Sequence, residues 1–141
     1  MKFNWWAIVV STIALFLFGW LWYDLLFGKI WMAEIAKTNG AGATGQMMSA
    51  SPIYLFSVDL ITAFFLAYGL ARILRWRGPV GALEGAWIGF AFGLLIFGSM
   101  TWLDYVYSGW GVTLGFLNIG YVAFGMAIQG AILGAWKPKA S

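Results

Sequence analysis

Four long apolar blocks, parted and flanked by stretches that hold seven of the thirteen charged residues, set the pattern of this 141-residue chain. They run from about 5 to 27, 52 to 75, 81 to 107 and 112 to 136. A helix rises 1.5 Å per residue, so blocks of about 23 residues or more match about 30 Å of hydrocarbon. None of the blocks shows the polar face that a helix bordering water requires. The pattern predicts an all-α membrane protein: four transmembrane helices in a bundle, forming a single domain over residues 1–141. A cleaved signal peptide fits the first block poorly. Its apolar core should be about 7–15 residues long and end in small residues, whereas this block ends in Trp20-Leu21-Trp22-Tyr23-Asp24.

The breaks carry recognisable punctuation. Ser51-Pro52 reads as an N-cap followed by proline at the first helical position, where a missing N–H costs nothing. Arg72, Arg75 and Arg77 close the second span, followed by the stop signal Gly78-Pro79. Ser108-Gly109-Trp110-Gly111 predicts a tight turn, and Lys137-Pro138-Lys139 ends the fourth span. The one long connection, the outer loop 28–51, leaves two readings open. Lys29 to Lys37 is weakly amphipathic, suited to a short helix along the membrane surface, and equally suited to a plain loop. Asn39-Gly40 would end such a helix, and residues 41–45 read as flexible linker.

Composition narrows the chemistry. The chain is 62% hydrophobic, 20% aromatic and 9% charged, against about a quarter charged in soluble domains. With no Cys and no His, thiolate nucleophiles, imidazole bases, ordinary zinc sites and histidine-held haem are excluded. We expect no catalytic, cofactor-binding or metal-binding residue and no enzyme. The formal charge of +3 is not a nucleic-acid signal, because the basic residues sit at helix ends. Lys2, Arg72, Arg75, Arg77, Lys137 and Lys139 fall on one side, and Lys29 and Lys37 on the other. The positive-inside rule then places both termini in the cytoplasm.

One motif occurs twice. Trp22-Tyr23-Asp24-Leu25-Leu26-Phe27 and Trp102-Leu103-Asp104-Tyr105-Val106-Tyr107 both read Trp-x-Asp-x-x-aromatic, with Gly and then Trp soon after. Two similar hairpins entering from the same face imply a parallel repeat about an axis normal to the membrane. Gly81, Gly85, Gly89 and Gly93 recur every four residues and form one ridge, a place for another backbone to approach closely. Gly130 and Gly134 repeat the spacing in the fourth span. Gly115, Gly120, Gly125 and Gly130 are five apart and scatter around that helix. It is therefore expected to be contacted from several sides, hence central.

The intramembrane polar groups are the candidate site: Asp24, Asp59, Asp104 and Asn118, one from each span. A carboxylate at the bilayer centre costs about 2.5–3.5 kcal/mol on insertion scales, so such groups normally face the bundle interior. Tyr23, Tyr54, Tyr105 and Tyr107 could donate to them. Two readings are open, an interhelical polar lock and a site for a proton or small cation centred on Asp59. Glu84 reads as a charge at a helix N-terminus with an Arg neighbour, and Gln129 as an interhelical hydrogen bond. Phe64, Phe65, Phe90, Phe92 and Phe97 sit mid-span, able to line an apolar pocket or simply to pack.

The chain resembles the small bacterial membrane family catalogued as domain of unknown function 1761. The resemblance rests on Leu21-Trp22-Tyr23, Phe27-Gly28-Lys29-Ile30-Trp31-Met32, Asn118-Ile119-Gly120-Tyr121 and Gly130-Ala131-Ile132-Leu133-Gly134-Ala135-Trp136. That family typically has Ser-Pro where this chain has Asp24-Leu25, and often a His where it has Val122. The resemblance implies four spans in a bacterial inner membrane and no assigned activity. The expectation drawn from the residues is a non-enzymatic subunit, a homo-oligomer or part of a larger membrane complex. Its rivals are an oligomeric proton- or cation-linked carrier using Asp59 with Asn118, Asp24 and Asp104, and a binder of an apolar ligand such as a lipid, quinone or pigment. The lipid bilayer is the expected partner; nucleic acid is not.

Overall fold

The computed structural model describes residues 2–37 and 51–136. Its long helices run Trp5–Leu26, Pro52–Arg77, Ala82–Tyr107 and Val112–Ala135, each long and apolar enough to cross a membrane. Helix α1 (Trp5–Trp20) continues through a π-helical turn, Leu21–Leu26. Residues 28–37 form α2. Then come α3 (Pro52–Arg77), α4 (Ala82–Ala91), a second π-helical segment (Phe92–Phe97), α5 (Gly98–Tyr107) and α6 (Val112–Ala135). Asn39-Gly40, the linker 41–45 and Lys137-Pro138-Lys139 lie outside the described residues.

Local chemistry accounts for most helix ends. Asn4 caps α1, its side chain accepting the Ala7 N–H at 3.2 Å. Pro52 occupies the first position of α3 as the sequence predicts. Ser51 stands before it as a cap by position only, since its side chain makes no capping bond. Gly78 (φ 104°) and Gly109 (φ 71°) take the left-handed conformation after α3 and α5, a region that residues with a Cβ enter at a cost. Of the two readings of residues 29–37, the helix is the one formed. Ile35 is buried, and Lys37 pairs with Glu34 at 2.9 Å.

Helix α6 is central, packing against α1, α3, α4 and α5. Its glycines explain how. Gly115 lies under the Trp102 ring of α5, Gly120 under the Trp22 ring, Gly125 under Leu15 and Phe18 of α1, and Gly130 against Gly85 of α4. The five-residue spacing turns Gly115 and Gly130 to the third span and Gly120 and Gly125 to the first, and the missing Cβ atoms let both neighbours close in. The α4–α6 contact is the closest. A Cβ added at Gly85 or Gly89 would overlap the Gly130 or Met126 carbonyl oxygen, and one at Gly93 would lie 2.7 Å from the Val122 oxygen. Gly134 faces the Gly81 carbonyl in the same seam. Beside it Leu70, Leu74, Val80 and Met126 form the buried apolar cluster.

The second π segment keeps this seam in phase. The buried glycines of α4 stand four apart, then Gly93 to Gly98 is a step of five. A π turn takes up the additional residue, and the Gly98 N–H bonds back to the Gly93 carbonyl. Gly98 thus meets Ile119 of α6, with a built Cβ 3.1 Å from its Cγ2.

Two ends of the bundle can be told apart. At one, Asn4 Nδ2 donates to the Trp136 carbonyl at 3.3 Å, Phe3 packs on Tyr68, and Arg77 pairs with Glu84 at 2.9 Å. This is the arginine end. The opposite, aspartate end carries Asp24 and Asp104. There α3 buries nothing: every residue from 51 to 62 is exposed, with Phe56 edge-on against Phe16 of α1 at 5.8 Å.

Candidate functional site

The π turn at the end of α1 builds the polar cluster. Phe27 N–H reaches the Trp22 carbonyl at 3.0 Å, five residues back. The widened turn places Trp22 and Tyr23, neighbours in sequence, both on α6. Trp22 Nε1 donates to the Leu117 carbonyl at 3.0 Å, its ring 2.9 Å from a Cβ built at Gly120. The Tyr23 hydroxyl donates to Asn118 Oδ1. Tyr121, one turn along α6, lies with its ring centroid 5.0 Å from that of Tyr23 and is stacked on Phe18 at 5.8 Å. Gly19 makes room for it, since a Cβ there would stand 3.1 Å from the Tyr121 hydroxyl. Trp31 of α2 closes the group from outside, 5.6 Å from Tyr23.

Of the four sequence candidates, Asn118 alone is tied into this cluster by a hydrogen bond. Asp24, Asp59 and Asp104 are exposed on their helices, and no three acidic side chains come together among the described residues. The expectation that all four face the interior is corrected. Asp24 and Asp104 sit close enough to helix ends to reach headgroup water. Asp59 lies deeper, on the exposed stretch of α3. Tyr54 and Tyr107 are largely exposed and do not join.

A second polar link holds the middle of the bundle. Gln129 is fully buried, and its Nε2 donates to the Ser11 carbonyl of α1 at 3.3 Å and the Ala63 carbonyl of α3 at 3.1 Å. One amide thus ties three helices, the role its inward position in the fourth span suggests. Its Oε1 has no hydrogen-bond partner among the described residues. Ser11 and Thr12 return their hydroxyls to the Ala7 and Ile8 carbonyls of their own helix, at 2.7 and 2.8 Å.

A cavity of about 150 Å³ opens at the aspartate end, lined by Trp102, Tyr105, Trp110 and Val112 among others. It involves none of the mid-span phenylalanines. Phe90 packs on Phe124 at 5.5 Å, and Phe64 on Phe65 at 5.9 Å. Sequence reasoning missed Tyr121, whose signal was the Gly19 opposite it, and the seating of the two motif tryptophans on Gly115 and Gly120. The spacing change from Gly93 to Gly98 was the available sign of the second π segment.

Four apolar helices of spanning length, three packed about a glycine-lined fourth, with most charged groups at the two ends and interhelical polar locks between them, define a polytopic helical membrane protein. The chain belongs to the family described as Protein of unknown function (DUF1761), whose model matches residues 6–134. No curated protein and no solved structure matches it.

Proposed function

We propose that the protein is a non-enzymatic structural or accessory subunit of a membrane assembly, joined to its neighbour through the aspartate-end half of α3. The observation that carries this reading is the exposure of every residue from 51 to 62, Asp59 among them. Three turns of an apolar helix need no partner in lipid, because lipid tails are as apolar as the side chains. A carboxylate about 10 Å along the helix does need one. Residues 38–50, the nearest segment in sequence, contain no Lys or Arg. The neighbour is a second copy or another membrane protein. A photo-crosslinking residue at Ile61, placed in the full chain in its native membrane, should give a discrete protein adduct. Adducts to lipid alone would overturn the reading.

The same proposal includes a bacterial inner-membrane setting with the arginine end in the cytoplasm, supported by the six-to-two division of basic residues. A cysteine at Ser51 should then react with an impermeant reagent in intact cells, and one at Ser141 should not. It also includes the parallel repeat. Its support is that Trp22 and Trp102 each sit on a glycine of α6. The neighbours of the two copies differ, as only the second hairpin has a glycine seam.

A second reading, an oligomeric proton- or cation-linked carrier, draws on the intramembrane Asp59 and on the Tyr23–Asn118 bond in the same half of the bundle. Proton or cation flux in proteoliposomes, lost in Asp59→Asn, would favour it over the subunit. Absence of flux from the wild type removes it for the ions tested.

A further inference from the structure

The arginine end carries a second arrangement that the proposed subunit role does not use. Of the five acidic residues, Glu84 alone lies at that end, and it is taken by Arg77 at 2.9 Å. Residues 38–50 and 137–141 contain no Asp or Glu. Arg72 and Arg75 are therefore two guanidinium groups with no side-chain carboxylate to meet. They are not loose. Arg72 lies over the Tyr68 ring at 5.8 Å and the Trp76 ring at 5.9 Å, and its Nη1 donates to the Tyr68 hydroxyl at 3.1 Å. Arg75 lies over the Phe3 ring at 4.7 Å. Phe3 is itself fixed against Tyr68 at 5.5 Å, so the stretch before α1 and the end of α3 build one platform.

Three residues apart on a helix, the two arginines point about 60° from each other. Cation–π contact backs each guanidinium while leaving most of its donors unused, which suits bidentate binding of an anion. Below them an aromatic ladder runs into the apolar part of the bundle. Trp5 is stacked on Tyr68 at 5.9 Å, and Tyr68 on Phe64 at 6.3 Å. The exposed Phe65 flanks it. A phosphate above an apolar track is the chemistry of a lipid, and Trp5 and Trp76 stand at the depth where headgroups begin.

We propose that Arg72 and Arg75, on the platform of Phe3, Tyr68 and Trp76, bind the phosphate headgroup of an anionic phospholipid. The acyl chain lies along the Trp5–Tyr68–Phe64 ladder. The site reads the phosphate with two forks and the lipid with aromatic faces. Arg77 takes no part, since Glu84 already neutralises it.

Native mass spectrometry of the full chain in detergent, titrated with phosphatidylglycerol or phosphatidylcholine of the same acyl chains, tests this. Phosphatidylglycerol should be retained preferentially. Arg72→Gln and Arg75→Gln should each weaken that preference about fivefold, and the double variant should abolish most of it. Arg77→Gln should leave it within about twofold. The single variants, checked for helix content, keep the test valid if the double variant misfolds. Equal retention of the two lipids, or full preference in both single variants, would overturn the proposal. Displacement of the lipid by millimolar inorganic phosphate would assign the forks to a soluble anion and overturn it as well.

Discussion

The two ends of this bundle are packed by opposite means. In the arginine-end half, α4 and α6 meet with no side chain between them, Gly85 against Gly130 and Gly89 against Met126. The Leu70–Leu74–Val80–Met126 cluster fills in beside that seam. In the aspartate-end half the contacts are large rings set on glycines, Trp22 on Gly120 and Trp102 on Gly115. There α3 buries no residue before Ala63 and touches α1 through Phe56, edge-on against Phe16 at 5.8 Å. Backbone contact leaves one arrangement, because interlocked helices cannot slide without overlap. Ring-on-glycine contact leaves room for movement and for a partner. The rigid half is thus the scaffold, and the open half is where an exposed acid and a Tyr–Asn pair are found.

That contrast can be broken most directly at the seam. Gly89→Leu should cost at least about 3 kcal/mol, at or beyond the upper range for overpacking, because the added side chain must enter the Met126 carbonyl. Phe90→Leu should cost under about 1.5 kcal/mol, as a swap that keeps the site apolar. Thermal unfolding in detergent, followed by circular dichroism, measures both. Equal small losses would show that the helices do not touch there.

The two copies of the tryptophan motif sharpen the contrast within the open half. Trp22→Ala removes a half-buried ring and its bond to the Leu117 carbonyl, and should cost about 2–3 kcal/mol. Trp102→Ala, at a residue 37% exposed whose ring rests on Gly115, should cost about half as much. A larger loss at Trp102 would reverse which copy anchors to α6.

Smaller effects test the polar links. Gln129→Leu loses the donors to Ser11 and Ala63 but also removes an unpartnered oxygen. We expect about 1 kcal/mol of destabilisation, since membrane-buried hydrogen bonds average well below their gas-phase strength. A gain in stability would mean that the orphaned oxygen outweighs both bonds. Asp59→Asn should change the stability of the isolated chain by no more than about 0.5 kcal/mol, as expected for an exposed position. Its effect belongs to whatever covers α3. A large loss in the isolated chain would place Asp59 inside the bundle's own polar lock.

The arrangement of spans was legible in the chain itself. Apolar blocks of sufficient length, Pro52 at a helix start, and Gly78 and Gly109 at helix ends each act through local chemistry or through transfer into lipid, both of which are read residue by residue. The glycine periods also gave the central place of α6, because spacing alone fixes the direction in which each glycine looks. Tertiary structure decided the rest. The widened turn at Leu21–Leu26 has no composition that marks it; it exists because Trp22 and Tyr23 both find partners on α6. Likewise the sequence placed Asp24, Asp59, Asp104 and Asn118 toward one end, and only packing determined that Asn118 turns inward while the three acids turn out. Entry into the bilayer depends on summed hydrophobicity along one chain. Which face meets which depends on short-range packing between helices, where lipid supplies almost no hydrophobic preference of its own.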